Sequence, residues 1–385
     1  MIPRRLFLQS LAGTACGLML PARARPQDPT RGNLLPAGDA ETRVPTPGDA
    51  HVREAWFYEP LADRRIRCRT CPHQCLLAPG ETGICRAKMN LEGKHYSLSF
   101  GNPCAVNVDP VEKKPLFHFL PGATAFSLAV AGCNFRCLNC QNWEISQVSP
   151  RQTRNYELPP AEVVRQAGSY DCRAVAFTYS EPSSFYEYGV ETSTRARAAG
   201  LRSIWVSNGY LAAAPLDRLC RTLDAASINL KSFDDRIYAD LNGGHLQPVQ
   251  ETLMRMKSNG IWLEVINLVI PTYTDNLEMI RRMCDWYLTA LGPDTPLHFS
   301  RFNPLYKLVH LPPTPVEFLV RARETARAAG LHHVYIGNVP GLAEDTICPG
   351  CGRTVVTRKG FRVVSLDLEN GRCRGCHAPV AGVWN

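Results

Sequence analysis

The chain has 385 residues, 45% of them hydrophobic and 20% charged, which is ordinary for a globular protein with a full core. Its formal charge of +8 is spread without a run of Lys or Arg, and this excludes the footprint of a nucleic-acid-binding protein. The unusual feature is a total of 16 cysteines, most of them at metal-ligand spacing, unlike the disulfide framework of a short secreted chain.

The first 24 residues predict a twin-arginine signal peptide. Arg4-Arg5-Leu6-Phe7-Leu8 is followed by a weakly apolar stretch to Leu20, and Ala22-Arg23-Ala24 offers a cleavage site. That stretch is too short to cross a bilayer as a mature helix, so no stable membrane span is expected. Residues 25–50 are rich in Pro, Gly and charge and predict a linker. We expect export to the periplasm; without a working leader the protein would be cytoplasmic.

A small cysteine-bearing module is predicted over residues 51–95. Its ligand candidates are Cys68, Cys71, Cys75 and Cys85. Four thiolates at this spacing suit either a structural zinc ion or an auxiliary 4Fe–4S cluster, and the Cys71-Pro72 pair is typical of ferredoxin runs. His73 could replace one thiolate. The sequence leaves zinc and the auxiliary cluster open.

Short β-rich runs and segments of helical period alternate through residues 96–345. The predicted strands are 124–131, 174–179, 203–207, 227–231, 263–270, 297–302 and 333–336. The predicted helices are 161–167, 186–199, 249–259, 277–291 and 316–329, each followed by a glycine. Such repeated βα units build a parallel barrel, and they are too few to close the eight-stranded form. The fold class is therefore α/β, an incomplete and laterally open barrel of (β/α)6 type.

The strongest motif is Cys133-x3-Cys137-x2-Cys140, at the carboxyl end of the first predicted barrel strand. Active sites of such barrels lie at this end. Three thiolates on one loop can bind three irons of a 4Fe–4S cluster and leave the fourth iron without a protein ligand. An open metal position marks a catalytic site. The alternative, a zinc site completed by a distant residue, is less suited to this place in a barrel.

With Gly132 before it and Gln141-Asn142-Trp143 after it, this loop resembles the signature of the radical S-adenosylmethionine (SAM) superfamily. The resemblance implies that the amine and carboxylate of SAM chelate the open iron. It further implies that an electron from the cluster breaks the sulfonium, and that the resulting 5′-deoxyadenosyl radical takes hydrogen from a substrate. An external low-potential electron donor is then a required partner.

Two further strand ends resemble SAM-binding elements of this superfamily. Thr178-Tyr179-Ser180-Glu181-Pro182 resembles the Gly-Gly-Glu-Pro element that holds the SAM ammonium, for which Glu181 is a suitable acceptor. Ser207-Asn208-Gly209 resembles the ribose-contacting position, because its short hydroxyl and amide groups can bond ribose oxygens. The predicted cofactor-binding residues are Ser180, Glu181, Ser207 and Asn208.

A closer resemblance rests on segments outside the cysteine loop. They are Asp109-Pro-Val-Glu-Lys-Lys-Pro-Leu-Phe-His-Phe-Leu-Pro121, Asn229-Leu-Lys231, Pro271, His298-Phe-Ser-Arg-Phe302 and Tyr335-Ile-Gly-Asn338. Together they resemble the radical SAM member of the AmmeMemoRadiSam system, a relative of the glycyl-radical (pyruvate formate-lyase) activating enzymes. This resemblance implies Memo-like and Amme-like proteins as possible partners. Asn229 departs from the aspartate that activases carry there, which weakens the case for activase chemistry.

Residues 346–385 predict a zinc-ribbon-like module. Its ligands are Cys348, Cys351, Cys373 and Cys376, two Cys-x2-Cys knuckles on the turns Pro349-Gly350 and Arg374-Gly375. Four thiolates close the site, so a structural zinc is favoured over a second cluster.

The leading hypothesis is thus an enzyme that cleaves SAM and abstracts hydrogen from an unidentified substrate. Within the enzyme class, a glycyl-radical activase acting on a protein competes with an enzyme acting on a small molecule. The rival outside it is a non-catalytic iron–sulfur protein that carries electrons. Glu181 and Ser207-Asn208 disfavour the carrier, which needs no SAM pocket.

Overall fold

A computed structural model describes residues 43–385. The signal-peptide prediction, and the linker up to residue 42, lie outside the described residues. Within residues 43–385, no helix combines the length and the apolar character needed to cross a membrane.

The first module contains six short strands in two antiparallel sheets. One sheet has the order β1-β6-β5 and the other β2-β3-β4. Strands β1 to β6 are Arg53–Glu54, Tyr58–Pro60, Ile66–Cys68, Leu76–Leu77, Lys88–Leu91 and Lys94–Ser97. A buried ion pair fixes the module to the barrel, because Lys88 Nζ donates to Glu187 at 2.8 Å. Breaking one partner of such a pair leaves an uncompensated buried charge, so this contact fixes the position of the module.

The central sheet has eight strands in the order β14-β13-β12-β11-β10-β9-β8-β7. Strands β7 to β14 are Ala105–Pro110, Thr124–Ala129, Ala174–Phe177, Arg202–Ser207, Ala225–Asn229, Trp262–Val269, Leu297–Arg301 and Val334–Gly337. Strands β8 to β14 are parallel, and β7 is antiparallel to β8. The two edge strands, β7 and β14, do not pair with each other, which confirms the laterally open barrel.

Helices α1 to α8 are Trp143–Ser146, Pro160–Ser169, Tyr186–Ala198, Ala213–Cys220, Asp235–Ile237, Leu246–Ser258, Leu277–Leu291 and Val316–Ala329. All except the short α1 and α5 cover the outer face of this sheet. Their apolar stripes and the outward side chains of the strands form the largest hydrophobic cluster, which includes Phe177 and Trp205. The large side chains lie between strands and helices because each crossover helix must bury one apolar face against the sheet.

The inner face of the sheet carries small side chains near the amino ends of the strands. Ala125, Ala176 and Ala225 lie there. The segment that precedes β8 fills the space they leave, and its Leu116 and Phe119 are fully buried against them. This segment therefore plugs the barrel at the end opposite to the cysteine loop.

The seven predicted parallel strands and five predicted helices are all present, with ends shifted by a few residues. In the barrel region, the antiparallel edge strand β7 and the short helices α1, α4 and α5 were not predicted. One predicted helix end was wrong, because Gly168 lies inside α2 rather than after it. Gly168 adopts no positive φ, whereas Gly200, Gly260, Gly292 and Gly330 do, and a residue with positive φ commonly follows the end of a helix.

The last module contains a three-stranded antiparallel sheet and a two-stranded ribbon. Strands β15 to β19 are Thr346–Ile347, Thr354–Lys359, Arg362–Leu366, Leu368–Glu369 and Arg372–Cys373. The module packs on the segment that precedes β8 and plugs the barrel (the plug segment). The buried guanidinium of Arg358 donates to Phe117 O at 2.5 Å, and Val383 N donates to His118 O at 2.7 Å. The C-terminal module is thus attached to the end of the barrel that the plug segment closes.

Candidate cluster and cofactor site

The cysteine loop (Cys133, Cys137 and Cys140) leaves the carboxyl end of β8, where the other parallel strands also end. Burial raises the pKa of the Cys133 thiol well above its ordinary value, and the nearby Glu181 carboxylate adds to that rise. Burial likewise raises the pKa of Cys140 to about 11. Thiols in such surroundings ionise only with a positive partner, and iron supplies one.

The spacing of these sulfurs suits a cluster better than a single ion. Within the part of the chain that the structure describes, only one group of three or more ligand side chains has all its ligand atoms within 4.8 Å, and it is not this loop. Zinc–sulfur bonds of about 2.3 Å hold the thiolates of one ion about 3.8 Å apart. A four-iron cluster is wider and holds its thiolates farther apart. The loop therefore lacks the spacing of a single zinc ion, and its three thiolates are the donor type that iron–sulfur clusters use.

Backbone and side-chain N–H groups point at these sulfurs. Phe135 N donates to Cys133 Sγ at 3.3 Å, and Asn242 Nδ2 donates to Cys137 Sγ at 3.1 Å. Hydrogen bonds of this kind tune the reduction potential of an iron–sulfur cluster. Asn242 ends a single turn of π-helix, Tyr238–Asn242, of the kind often found at functional sites.

Sequence reasoning missed Asn242. The loop is also held by its backbone, because Arg136 N donates to Asn242 O at 2.8 Å and Leu138 N donates to Leu241 O at 2.9 Å. The signal that could have found this contact is the Asn242-Gly243-Gly244 turn. A Cβ on Gly244 would lie 2.3 Å from the Phe135 ring, so only glycine permits this approach to the loop.

Glu181 follows strand β9, and its side chain contacts residues at the carboxyl end of strand β10. Its carboxylate accepts hydrogen bonds from Ser207 Oγ at 2.8 Å, from Asn208 N at 2.8 Å and from Ser183 N at 3.0 Å. Burial raises the pKa of Glu181, while the Asn208 N–H opposes that rise. The structure thus brings together three of the four predicted cofactor residues around one buried carboxylate.

This group of residues reaches the cysteine loop through Asn208. Its side-chain amide donates to Asn134 Oδ1 at 2.7 Å and lies 3.9 Å from Cys133 Sγ. The fourth predicted residue, Ser180, has a different contact, because its hydroxyl donates to Val130 O at 2.6 Å. Ser180 therefore fixes the turn that carries Glu181 by bonding to the end of the preceding strand.

The N-terminal cysteine set (Cys68, Cys71, Cys75 and Cys85) lines one cavity that lies directly against the cysteine loop. Asn134 of the loop contributes to the same wall. His73 does not line this cavity. Its Nε2 lies 2.8 Å from Asn134 O and its ring packs on Tyr210, so the expectation that it could replace a thiolate is not met.

The C-terminal cysteine set (Cys348, Cys351, Cys373 and Cys376) has the compact spacing that the loop lacks. All four ligand atoms lie within 4.8 Å of one another. The sulfurs of Cys348 and Cys376 are 3.6 Å apart, and those of Cys351 and Cys373 are 3.8 Å apart. These distances match the separation of about 3.8 Å that tetrahedral thiolates have around one zinc ion.

Comparison with known proteins agrees with this geometry. The model of the radical SAM superfamily matches residues 128–286, which include the cysteine loop and Glu181. An uncharacterized protein of Methanocaldococcus jannaschii, MJ0808, is 44% identical over 328 residues, which are 84% of this chain and 98% of that protein. The chain belongs to the radical SAM superfamily. A second uncharacterized protein of the same organism, MJ0674, is 27% identical over 54% of this chain and 58% of its own length.

Solved structures with partial similarity include a domain of the pyruvate-formate lyase-activating enzyme from Bacteroides vulgatus. It is 16% identical, with a TM-score of 0.38, and the match covers 43% of this chain and 99% of that domain. Another is Streptococcus suis SuiB bound to S-adenosylmethionine, 14% identical with a TM-score of 0.44, over 59% of this chain and 53% of SuiB.

Membership of this superfamily identifies the protein as a radical SAM enzyme and implies a 4Fe–4S cluster and SAM as its cofactors. Neither the superfamily match nor the two relatives of unknown function assign a substrate.

Proposed function

We propose that this radical SAM enzyme holds its 4Fe–4S cluster on Cys133, Cys137 and Cys140 and cleaves SAM reductively. When bound, the cluster supplies one electron to SAM; the S–C5′ bond breaks to give methionine and a 5′-deoxyadenosyl radical, which removes hydrogen from the substrate. The observation that carries this proposal is the chain of contacts from Glu181 through Asn208 to Cys133.

The residues around the loop have complementary roles in this proposal. Glu181 is 3% exposed, so its carboxylate meets a cationic amine with little competition from water. Ser207 and Asn208 keep that carboxylate oriented and offer hydroxyl and amide groups to ribose oxygens. A protein that only carries electrons needs no such buried acceptor, and this favours SAM chemistry over the carrier.

Asn229 disfavours the glycyl-radical activase. Its Nδ2 donates to Ser207 O at 3.3 Å, and its Oδ1 accepts from Lys231 Nζ at 3.2 Å. In the activases, the aspartate at this position is associated with a cation site. Here the position holds a neutral amide next to a lysine, which is a poor site for a metal cation. We propose that the substrate is not a glycyl-radical enzyme, and that an external low-potential donor reduces the cluster.

The test uses anaerobically reconstituted protein, dithionite and SAM. The parent protein should form 5′-deoxyadenosine and methionine. Cys137→Ala should lose at least about 100-fold of this rate, because a cluster without one protein ligand no longer presents a defined open iron. Product formation is measured by chromatography and mass spectrometry.

Cys172→Ala is the matched control, since Cys172 is a buried thiol packed in the main hydrophobic cluster. It should cleave SAM at the parental rate. Undiminished turnover in Cys137→Ala would overturn the assignment of the loop.

A further inference from the structure

We propose that Cys68, Cys71, Cys75 and Cys85 hold a second 4Fe–4S cluster beside the cysteine loop. This site goes beyond the proposed SAM chemistry and does not depend on it. The sequence leaves zinc and a cluster open here, and three features of this part of the structure favour the cluster.

The first feature is the sulfur spacing. No three ligand atoms of the N-terminal cysteine set lie within 4.8 Å of one another, whereas all four of the C-terminal cysteine set do. The same chain thus contains one set at zinc spacing, and neither the N-terminal cysteine set nor the cysteine loop has that spacing. Because zinc requires thiolates about 3.8 Å apart, this favours a cluster, which holds its thiolates farther apart.

The second feature is the wall of the cavity, which His95 lines together with the four cysteines. His95 is fully buried, yet neither of its ring nitrogens has a hydrogen-bond partner. Buried polar atoms are rarely left unpaired, so this imidazole indicates a partner in the cavity. Cluster sulfides are acceptors for an imidazole N–H.

The third feature is the contact with the cysteine loop. A Cβ on Gly132, the residue before Cys133, would lie 2.5 Å from the carbonyl oxygen of Cys85. Asn134, the residue after Cys133, lines the cavity. Both neighbours of Cys133 thus pack against the N-terminal cysteine set, so we expect two reduced clusters at these sites to interact magnetically.

The experiment measures the metal content and spectra of the full chain after anaerobic reconstitution with iron and sulfide. The parent protein should contain about eight irons per chain, twice the content of one four-iron cluster. A variant with all three loop cysteines replaced by Ala should retain about four of them, with a Mössbauer spectrum of a 4Fe–4S cluster. Cys71→Ser/Cys85→Ser should also retain about four, held by the loop.

Electron paramagnetic resonance of the dithionite-reduced proteins is the second measurement. The parent should give a signal broadened by spin coupling, and each variant an uncoupled signal. A parent protein with about four irons, with or without extra zinc, would overturn the proposal, as would a folded loop variant without iron. A parent protein that holds about eight irons but does not cleave SAM would refute the proposed function, whereas the proposal of a second cluster would stand.

Discussion

At the scale of single residues, Glu181 combines two tasks that the sequence motif does not separate. It is the expected acceptor for the SAM ammonium, and it also accepts three hydrogen bonds that tie Ser207, Asn208 and Ser183 together. Its side chain therefore positions the residues proposed to contact the ribose.

Replacing Glu181 by glutamine tests both tasks. The amide NH2 group would face at least one of the three donors, and the negative charge would be lost. We expect SAM affinity to fall by about 1.5–3 kcal/mol, which is the usual contribution of a charged hydrogen bond. Equilibrium binding of SAM to the reconstituted protein measures this change, and the visible absorbance of the clusters should stay the same.

Glu251→Gln on the exposed face of α6 is the matched control and should leave SAM affinity unchanged. Equal affinity of parent and Glu181→Gln would show that Glu181 only supports the turn.

At the scale of elements, the turn after β8 is where the first module meets the barrel. Gly132 has φ +114, and the Cβ of any other residue would meet the Cys85 carbonyl oxygen at 2.5 Å and Ala87 Cβ at 3.1 Å. Its carbonyl accepts from Ser184 Oγ at 3.2 Å, so the turn also touches the segment that follows Glu181. One glycine thus controls the approach of three segments.

Gly132→Ala should lower the free energy of unfolding by about 1–3 kcal/mol or more, because it combines an unfavourable φ with a clash against backbone. Iron per chain should also fall, since the clash separates the N-terminal cysteine set from the cysteine loop. Chemical denaturation and iron analysis measure the two effects.

Gly168→Ala controls for the loss of a glycine as such. Nothing lies within 4 Å of a Cβ at Gly168, inside α2, so this variant should be as stable as the parent or more stable. A Gly132→Ala protein with parental stability and iron content would contradict the proposed role of this contact.

At the scale of the whole molecule, the C-terminal module packs against the segment that plugs the barrel, and it carries its own cysteine set. Arg358 donates to Phe117 O and to Thr346 Oγ1, and Cys348 lies fully buried in the module's small core. We propose zinc as the metal of this set, on the evidence of its sulfur spacing. A core this small needs such a ligand to fold.

Cys351→Ser should remove the zinc and unfold the module locally. Hydrogen–deuterium exchange of the full chain should show loss of protection over residues 346–383, while strand β12 stays protected. The physical reason is that the binding free energy of a structural zinc is largely folding free energy.

Cys220→Ala serves as the control, since Cys220 ends helix α4 far along the chain from any cysteine set. Unchanged protection over residues 346–383 in Cys351→Ser would mean that contacts with the barrel alone hold the module. The twin-arginine leader stays a prediction, because it lies outside residues 43–385. The Memo-like and Amme-like partners also stay predictions, since they rest on the family resemblance alone.

The sequence by itself determined the parallel strands, most of the crossover helices and the place of the cysteine loop. Alternation of β-rich and helical segments is a local property, and so is the Cys-x3-Cys-x2-Cys spacing. Edge strand β7 was missed, because the alternation in Val106-Asn107-Val108-Asp109 is short and Ala105–Pro110 becomes a strand by pairing with β8.

Only the tertiary structure decided which residues meet. Asn242 reaches Cys137 across 105 positions of the chain, and Ser207 reaches Glu181 across 26. Sulfur spacing was also a tertiary property: the same Cys-x2-Cys pattern begins both outer sets, yet only the C-terminal set has all its sulfurs within 4.8 Å of one another. The physical reason is that a pattern fixes which ligands are near in sequence, while the packing of separate segments fixes the distance between their atoms.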